Sequence, residues 1–152
     1  MALTSGDADD FPVLKLGDVQ RKVNEITNVA ERAAIVLQLK TGVRSSELCN
    51  IRFSEIKIAN HEVMNHYESL GIGSDPILDD RQNVVYIPRD EVREKNKRKC
   101  PTVIPLDDET RATLIDYLLI RPDNGDEHVF LTKKGKPLDK GSLQVFWNNN
   151  WR

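Results

Sequence analysis

The chain has 152 residues, of which 39% are hydrophobic and 30% are charged, a balance typical of one compact globular domain. It contains no run of about 18 apolar residues, which excludes a membrane-spanning helix, and its N-terminus lacks the apolar core of a secretory signal. The formal net charge is −2, which argues against a wholly basic nucleic-acid binder but not against a local basic patch on an acidic body.

Residues 1–13 are predicted to form a disordered acidic tail, because small, acidic and flexible residues dominate them. The folded domain is then expected to span residues 14–152. The two cysteines, Cys49 and Cys100, do not form a CxxC pair, so neither a zinc site nor a redox motif is indicated. Reduced thiols are the default in the cytoplasm, where we expect the protein to lie.

The first part of the folded chain reads as helical. Asp18 is a plausible N-cap for a first helix. The stretch AERAAIVLQLK is apolar on several faces, which predicts a central helix, and Gly42 follows where a left-handed C-cap is needed. Ser45 or Ser46 can then cap another helix, with Glu47 in its first turn near the positive end of the helix dipole.

The second part alternates short strands and helices. Expected elements are a strand at 53–59, an inserted short helix and loop at 60–83, strands at 84–88 and 101–106, a helix at 107–121 capped by Asp107 or Asp108, a strand at 128–132, a turn at 133–137 and a helix from 139. Residues 89–100 then form the loop of a β-hairpin. This order predicts an α+β fold, mostly helical with a small antiparallel sheet, rather than alternating βαβ units.

Two segments are strongly basic. From Arg93 to Lys99 the sequence REKNKRK has five cations and one acid in seven residues, and two strands would hold it as a projecting finger suited to a DNA groove or backbone. A solvated charged loop is the plainer interpretation. A second cluster, Lys133, Lys134 and Lys136, lies in the later turn and gains weight as a DNA contact only if it faces the same way.

Arg44 stands in an unusual setting, between the apolar helix and the next helix start. A guanidinium beside exposed backbone N–H groups combines bidentate donors with a helix N-terminus, an arrangement that favours a phosphate oxyanion. The alternative is a structural pair between Arg44 and Glu47, three residues apart on one turn. Both can hold, since a carboxylate can orient a functional guanidinium.

Other site chemistries find little support in the sequence. His61 and His66 are five residues apart and do not share a helix face well. His128 opens a predicted strand, and no third ligand has metal-site spacing, so surface or structural histidines are favoured over a metal site. Neither a G-x-S-x-G element nor a phosphate-cradling glycine loop is present.

The stretch LQLKTGVRSSELCNIRFSEI resembles the first active-site box of the tyrosine recombinases, the phage integrase family. That box reads roughly T-G-[LVM]-R-x-S-E-L followed by L-R-W-x-D-[IV]. The positions that match it are Thr41, Gly42, Arg44, Ser46, Glu47, Leu48, Arg52 and Ile56. Phe53 replaces the common tryptophan, and Glu55 replaces the common aspartate.

The next family feature, a hairpin of the type K-x-x-K-x-R-x-V-P-L, resembles KNKRKCPTVIPL. Aligned on the I-P-L ending, Lys97 best matches the active-site lysine, with Lys95 and Lys99 as alternatives. HVFLTKKGKPLDKGSLQVFW is similar in style to the family's strand, G-x-P-[LI] turn and helix after the hairpin, so the resemblance covers about residues 14–152.

The resemblance implies DNA strand exchange through a 3′-phosphotyrosyl intermediate. Arg44 would bind the scissile phosphate, Lys97 would act as general acid, and Glu47 would brace the arginine cluster. Double-stranded DNA would be contacted by Arg93, Lys95, Arg98, Lys99, Lys133, Lys134 and Lys136. No cofactor, metal or membrane is implied, and self-assembly on DNA is possible.

The chain departs from the family in its later motifs. No histidine has arginine three residues on, and Tyr67, Tyr86 and Tyr117 all precede the place of the nucleophile. We therefore predict the DNA-binding part of a recombinase catalytic domain that is inactive alone. The alternatives are a non-catalytic DNA-binding or regulatory module on a decayed recombinase scaffold, and a structural fragment without DNA affinity.

Overall fold

The structure is a computed structural model, and it describes residues 21, 23–94, 96, 98–122 and 124–150. The helices are α1 (Val29–Thr41), α2 (Ser45–Cys49), α3 (His61–Ser69), α4 (Asp108–Ile120) and α5 (Lys140–Asn150). The strands are β1 (Ile56–Lys57), β2 (Val84–Ile87) and β3 (Thr102–Pro105). The predicted tail and the N-cap Asp18 lie outside the described residues, whereas residues 23–25 are helical as expected.

Helix α1 is the centre of the core, as its sequence predicts. Residues 33–39 are all buried, including the polar Gln38, and the helix packs against α2, α4 and α5. Asn28 caps its start by accepting the Glu31 N–H at 3.0 Å. Gly42 ends it with φ of 71°, a left-handed conformation that favours glycine, and donates its N–H to the Gln38 carbonyl.

The next turn differs from the sequence-based expectation. The N-cap of α2 is Arg44, with extended backbone at φ −71° and ψ 157°, so neither Ser45 nor Ser46 is the capping residue. Ser45 is instead buried as the first helical residue. Its hydroxyl accepts a hydrogen bond from Gln38 at 3.2 Å, which explains why it faces inward.

The expected strand at 53–59 is mostly wrong. Residues Phe53–Glu55 form a 3₁₀ turn, and only Ile56 and Lys57 pair as β1. The turn is favoured because the buried Glu55 carboxylate accepts the Arg52 N–H at 2.9 Å, closing the backbone locally.

The sheet is small and antiparallel, with strand order β1-β2-β3. In the register of the sheet, Ile56 of β1 pairs with Val85 of β2, and Val85 pairs on its other side with Ile104 of β3. All four residues of β2 are buried, since Val85 and Ile87 join the main core while Val84 and Tyr86 pack with Leu78 on the other face. Leu78 and helix α3 come from the inserted segment 60–83, which therefore covers the sheet and contributes to the core.

The loop between β2 and β3 does not project as a finger in its described residues. Asn96 is buried and donates to the Pro88 carbonyl at 2.7 Å, and Asn50 of the segment after α2 donates to the Glu94 carbonyl at 2.7 Å. The basic segment is thus folded back onto the body of the domain.

Helix α4 begins where predicted, with Asp107 as its N-cap. The expected strand at 128–132 is not formed: only the isolated bridges Arg52↔His128 and Leu131↔Pro137 occur. The Val129 carbonyl accepts hydrogen bonds from the Tyr117 hydroxyl and the Arg121 guanidinium, both at 3.0 Å, instead of from a neighbouring strand. Among the described residues, no helix combines the length and apolar character needed to cross a bilayer.

Candidate functional site

Arg44 lies at the surface, on the short turn that joins the buried helix α1 to α2. Its own backbone N–H donates to the Glu47 carboxylate at 3.0 Å. This bond fixes the extended backbone that points the arginine away from the core. The Glu47 side chain is only 2% exposed, so the carboxylate is part of the scaffold beneath the turn.

Gln38 holds the turn from inside. Its amide nitrogen donates to the Val43 carbonyl at 3.3 Å and to the Ser45 hydroxyl at 3.2 Å, so it contacts the residues on both sides of Arg44. Its amide oxygen accepts the indole N–H of Trp147 at 2.9 Å. One fully buried amide therefore joins α1, the Arg44 turn and α5, a role that sequence analysis did not assign.

Two arginines of the basic loop reach inward rather than outward. The Arg98 Nε lies 3.2 Å from the second oxygen of Glu47, as an ion pair without hydrogen-bond geometry. Arg93 forms an ion pair with Glu55, whose side chain is 2% exposed. Both arginines were predicted to contact DNA directly, and the structure places their guanidinium groups against buried carboxylates.

Of the three lysines in the loop, the structure describes only Lys99. Lys95 and Lys97, and with them the predicted active-site lysine, lie outside the described residues. The Lys99 side chain is 88% exposed and pairs with Asp90 at 3.0 Å. The hydrogen bond from Lys99 lowers the pKa of the Asp90 carboxyl, which is a surface interaction within the loop.

The second basic cluster sits in a tight turn. The Thr132 N–H donates to the Lys136 carbonyl at 2.7 Å, and Gly135 has a φ of 77°. The Asn124 amide braces the turn through the Gly135 carbonyl. Lys133, Lys134 and Lys136 are all exposed.

A groove of about 260 Å³ connects this region with α2. Its lining includes Ser46 and Asn50 on one side and the residues from Pro137 to Lys140 on the other. Lys136 is followed directly by Pro137 on one side of the groove, and Ser46 on the other side is two residues from Arg44. The turn at 133–137 therefore borders the region of the Arg44 turn. Lys133 lines a separate cavity beside Tyr117 and Phe146.

Arg52 and Arg121, in contrast, have structural roles. Arg52 donates to Glu127 at 2.6 Å and to the Asn50 side chain at 3.0 Å. Arg121 is 7% exposed, lies 4.3 Å from the centre of the Phe53 ring, and donates to four carbonyls including that of Val129. In the sequence Arg121 stands only at the end of a predicted helix, and nothing local signals its burial.

The three tyrosines of the chain are all buried: Tyr67 and Tyr117 are 3% exposed and Tyr86 is 9% exposed. The Tyr117 hydroxyl also accepts the Leu131 N–H at 3.0 Å, which ties this side chain into the core. Burial raises the pKa of each of these phenols. The hydroxyls of Tyr67 and Tyr117 lie in the interior.

The histidines have ordinary settings. His61 is exposed, and the His128 ring contacts Asp126 at 2.8 Å. Burial acts to raise the pKa of Asp126, but hydrogen bonds from His128 outweigh it and the pKa is lowered. Within the described part of the chain, no group of three His, Cys, Asp or Glu residues is arranged to hold a metal ion.

Comparison with known proteins points to one family. Residues 13–150 match the model of the phage integrase family. A putative integrase/recombinase, y4rF, from Sinorhizobium fredii (strain NBRC 101917 / NGR234) is 33% identical over 127 residues, which cover 80% of this chain and 23% of that protein. The crystal structure of XerA recombinase matches with a TM-score of 0.60 and 17% identity over 96% of this chain and 42% of that one, which shows a shared fold.

Proposed function

Because the chain belongs to the phage integrase family, we propose that it is the DNA-binding part of a site-specific tyrosine recombinase catalytic domain. In the complete protein, a tyrosine oxygen would attack the scissile phosphorus and the bond to the 5′-oxygen would break. The resulting phosphotyrosyl link conserves the bond energy, so rejoining needs no nucleotide. The chain spans about a quarter of the curated relative, so this reaction is proposed for the complete protein, in the cytoplasm.

The observation that carries the proposal is the position of Glu47. One of its oxygens accepts the Arg44 N–H at 3.0 Å, and the other lies 3.2 Å from Arg98 in the basic loop. A single buried carboxylate thus brings together the two segments that the sequence selects as phosphate-binding. A DNA phosphate in this region would meet a guanidinium from one segment and lysines from the other.

The chemistry of these groups suits the reaction. The Arg44 guanidinium would bind the non-bridging oxygens and stabilise the charge that develops in the pentavalent transition state. Lys97 would donate a proton to the departing 5′-oxygen as general acid. Lys95 and Lys99 are the alternatives, and the pairing of Lys99 with Asp90 within the loop favours the other two.

The flanking DNA backbone would be met by exposed lysines outside this centre. The exposed turn directly before Pro137, which lines the groove beside α2, carries Lys133, Lys134 and Lys136. Each such contact releases counterions, so it adds to the salt dependence of binding and not to sequence recognition. A body with a formal net charge of −2 binds DNA through this local surface.

The buried tyrosines support the claim that this chain does not cleave DNA alone. A nucleophile must reach phosphorus from the surface, whereas all three tyrosines are buried residues and the hydroxyls of Tyr67 and Tyr117 are held in the interior. Burial raises the phenol pKa values, which further weakens these groups as nucleophiles. Cleavage would need a tyrosine from outside these 152 residues.

Binding of a duplex to this chain at several salt concentrations tests the proposal. Arg44→Gln should reduce the magnitude of the negative slope of log K against log salt by about 0.9, the contribution of one phosphate contact. Arg81→Gln is the matched control, because Arg81 is exposed at the opposite end of β2 from the basic loop, and it should leave the slope unchanged. Equal slopes for the two variants would refute the assignment of Arg44.

A suicide substrate, which traps the covalent product after a single cleavage, tests the second claim. We expect no covalent protein–DNA adduct from this chain on a denaturing gel. An adduct that disappears on replacement of one of the three tyrosines would show that the chain carries its own nucleophile.

A further inference from the structure

A short pattern occurs twice around the candidate site. Arg44-Ser45-Ser46-Glu47 and Arg52-Phe53-Ser54-Glu55 both read R-x-S-E, eight residues apart. In each, the glutamate accepts the backbone N–H of the arginine three residues earlier, at 3.0 Å for Glu47 and 2.9 Å for Glu55. Both glutamates are buried, at 2% and 1% exposure. The two copies therefore present two buried carboxylates in equivalent local geometry.

Each carboxylate uses its other oxygen on an arginine of the basic loop. Glu47 pairs with Arg98 at 3.2 Å, and Glu55 pairs with Arg93. Arg93 and Arg98 flank the segment that contains Lys95 and Lys97, two of the three candidate lysines. The two ion pairs consequently fix both ends of this segment to the scaffold that carries Arg44.

A third attachment lies between the two ion pairs. Asn50 donates to the Glu94 carbonyl at 2.7 Å and to the Asn96 side chain at 3.3 Å. The buried Asn96 amide donates in turn to the Pro88 carbonyl at 2.7 Å. Two of these bonds use backbone carbonyls of the loop, so they determine its path as well as its attachment.

We propose that Glu55 and Arg93 are positioning residues that act with the Glu47–Arg98 pair as a two-point clamp, holding the basic loop against the scaffold that carries Arg44. Arg93 then serves DNA only through the loop and is not itself a phosphate ligand. This inference rests on the proposed function, since the clamp holds the loop whose lysines are proposed to meet a DNA phosphate.

Burial explains why these pairs can act as a clamp. Each carboxylate is 2% exposed and its arginine is 26% exposed, so removing the arginine leaves an unpaired carboxylate in the interior, and the pair specifies a single arrangement. The exposed pair Lys99–Asp90, with side chains 88% and 33% exposed, lies in the same loop and is screened by water. It provides the matched control, since Asp90→Asn and Glu55→Gln make the same carboxylate-to-amide change.

The first experiment measures tryptic cleavage within residues 93–99 of the free protein under native conditions. Glu55→Gln and Arg93→Gln should each raise the cleavage rate at Lys95 and Lys97 about tenfold, while Asp90→Asn leaves it near the wild-type rate. If Glu55→Gln does not fold, the Arg93→Gln variant alone tests the clamp. Only loss of a clamp residue is expected to change cleavage at Lys95 and Lys97. Wild-type rates in a folded Arg93→Gln variant would overturn the clamp.

The second experiment measures the salt dependence of duplex binding for Glu55→Gln, Arg93→Gln and the double variant. A clamp predicts that the magnitude of the slope of log K against log salt decreases equally in all three variants. The decrease is about 0.9 for each lysine contact that is lost, which corresponds to about tenfold in affinity at 50 mM salt. A fall for Arg93→Gln with no change for Glu55→Gln would make Arg93 a direct phosphate ligand and overturn the proposal. A wild type without salt-dependent binding would refute the proposed function, while the cleavage result would still report on the clamp.

Discussion

Gln38 is an amide with no exposed surface in the middle of the most buried helix of the chain. Its three hydrogen bonds reach Val43, Ser45 and Trp147, so it fixes the residues on either side of Arg44 and ties them to α5. At the sequence level Gln38 is one polar letter among apolar ones. Its partners lie at separations of 5 to 109 residues, and local patterns carry no information about the longest of these.

Gln38→Leu should destabilise the protein by about 2–4 kcal/mol, because buried polar partners lose their hydrogen bonds without gaining water. Urea denaturation followed by circular dichroism measures this change. The control is Gln144→Leu, the same substitution at an exposed position on α5, which should stay within about 0.5 kcal/mol of wild type. Similar losses in both variants would contradict the role given to Gln38.

At the scale of elements, α4 was predictable because its start signal is local. Asp107 accepts the Thr110 N–H at 2.8 Å as the N-cap, and Lys40 of α1 pairs with it at 3.1 Å. Burial acts to raise the pKa of the Asp107 carboxyl, but hydrogen bonds from Thr110 and Lys40 outweigh it, and the pKa lies below its usual value. The helix start is therefore also the point that attaches α4 to α1.

Asp107→Asn should cost about 0.5 kcal/mol at pH 7, since asparagine still caps the helix while the screened charge interaction with Lys40 is lost. The folded-state pKa is depressed, so the ionised form stabilises the fold above the unfolded value of about 3.9 and loses this effect as the pH falls through the folded pKa. Unfolding free energies of variant and wild type should converge in acid. Asp108→Asn, at the fully exposed neighbouring position, is the control, and an identical pH profile in both variants would contradict this account.

Elements that depend on distant partners were predicted less well. The segment 128–132 has a strand-like sequence, but among the residues described it pairs with its neighbours only through two isolated bridges. Its Val129 carbonyl accepts from Tyr117 and Arg121 instead of from a strand. The basic loop looked like a free finger because its charges dominate the local composition. Its position is determined by Glu47 and Glu55, which precede their arginine partners by 51 and 38 residues and whose burial the sequence does not display. The repeated R-x-S-E pattern is the one local signal that could have indicated both.

For the whole molecule, the core and the site are parts of one arrangement. Helix α1 ends at the Arg44 turn, Glu47 beneath that turn and Glu55 after it pair with arginines of the basic loop, and α5 closes the same region through Trp147. The class of fold, the place of the Arg44 turn and the order of the segments follow from local patterns. The path of the loop follows from ion pairs to buried carboxylates, which form only when the chain is folded.

The most direct test of the central claim is a titration of the ¹⁵N-labelled chain with a short duplex, followed by the shifts of its backbone amides. If the Arg44 turn and the basic loop form one phosphate-binding site, amides of residues 44–50 and 93–99 should shift together, with the same dependence on DNA concentration and salt. Amides near Arg81 should remain unchanged. Shifts confined to one of the two segments, or saturating at different DNA concentrations, would contradict a single site.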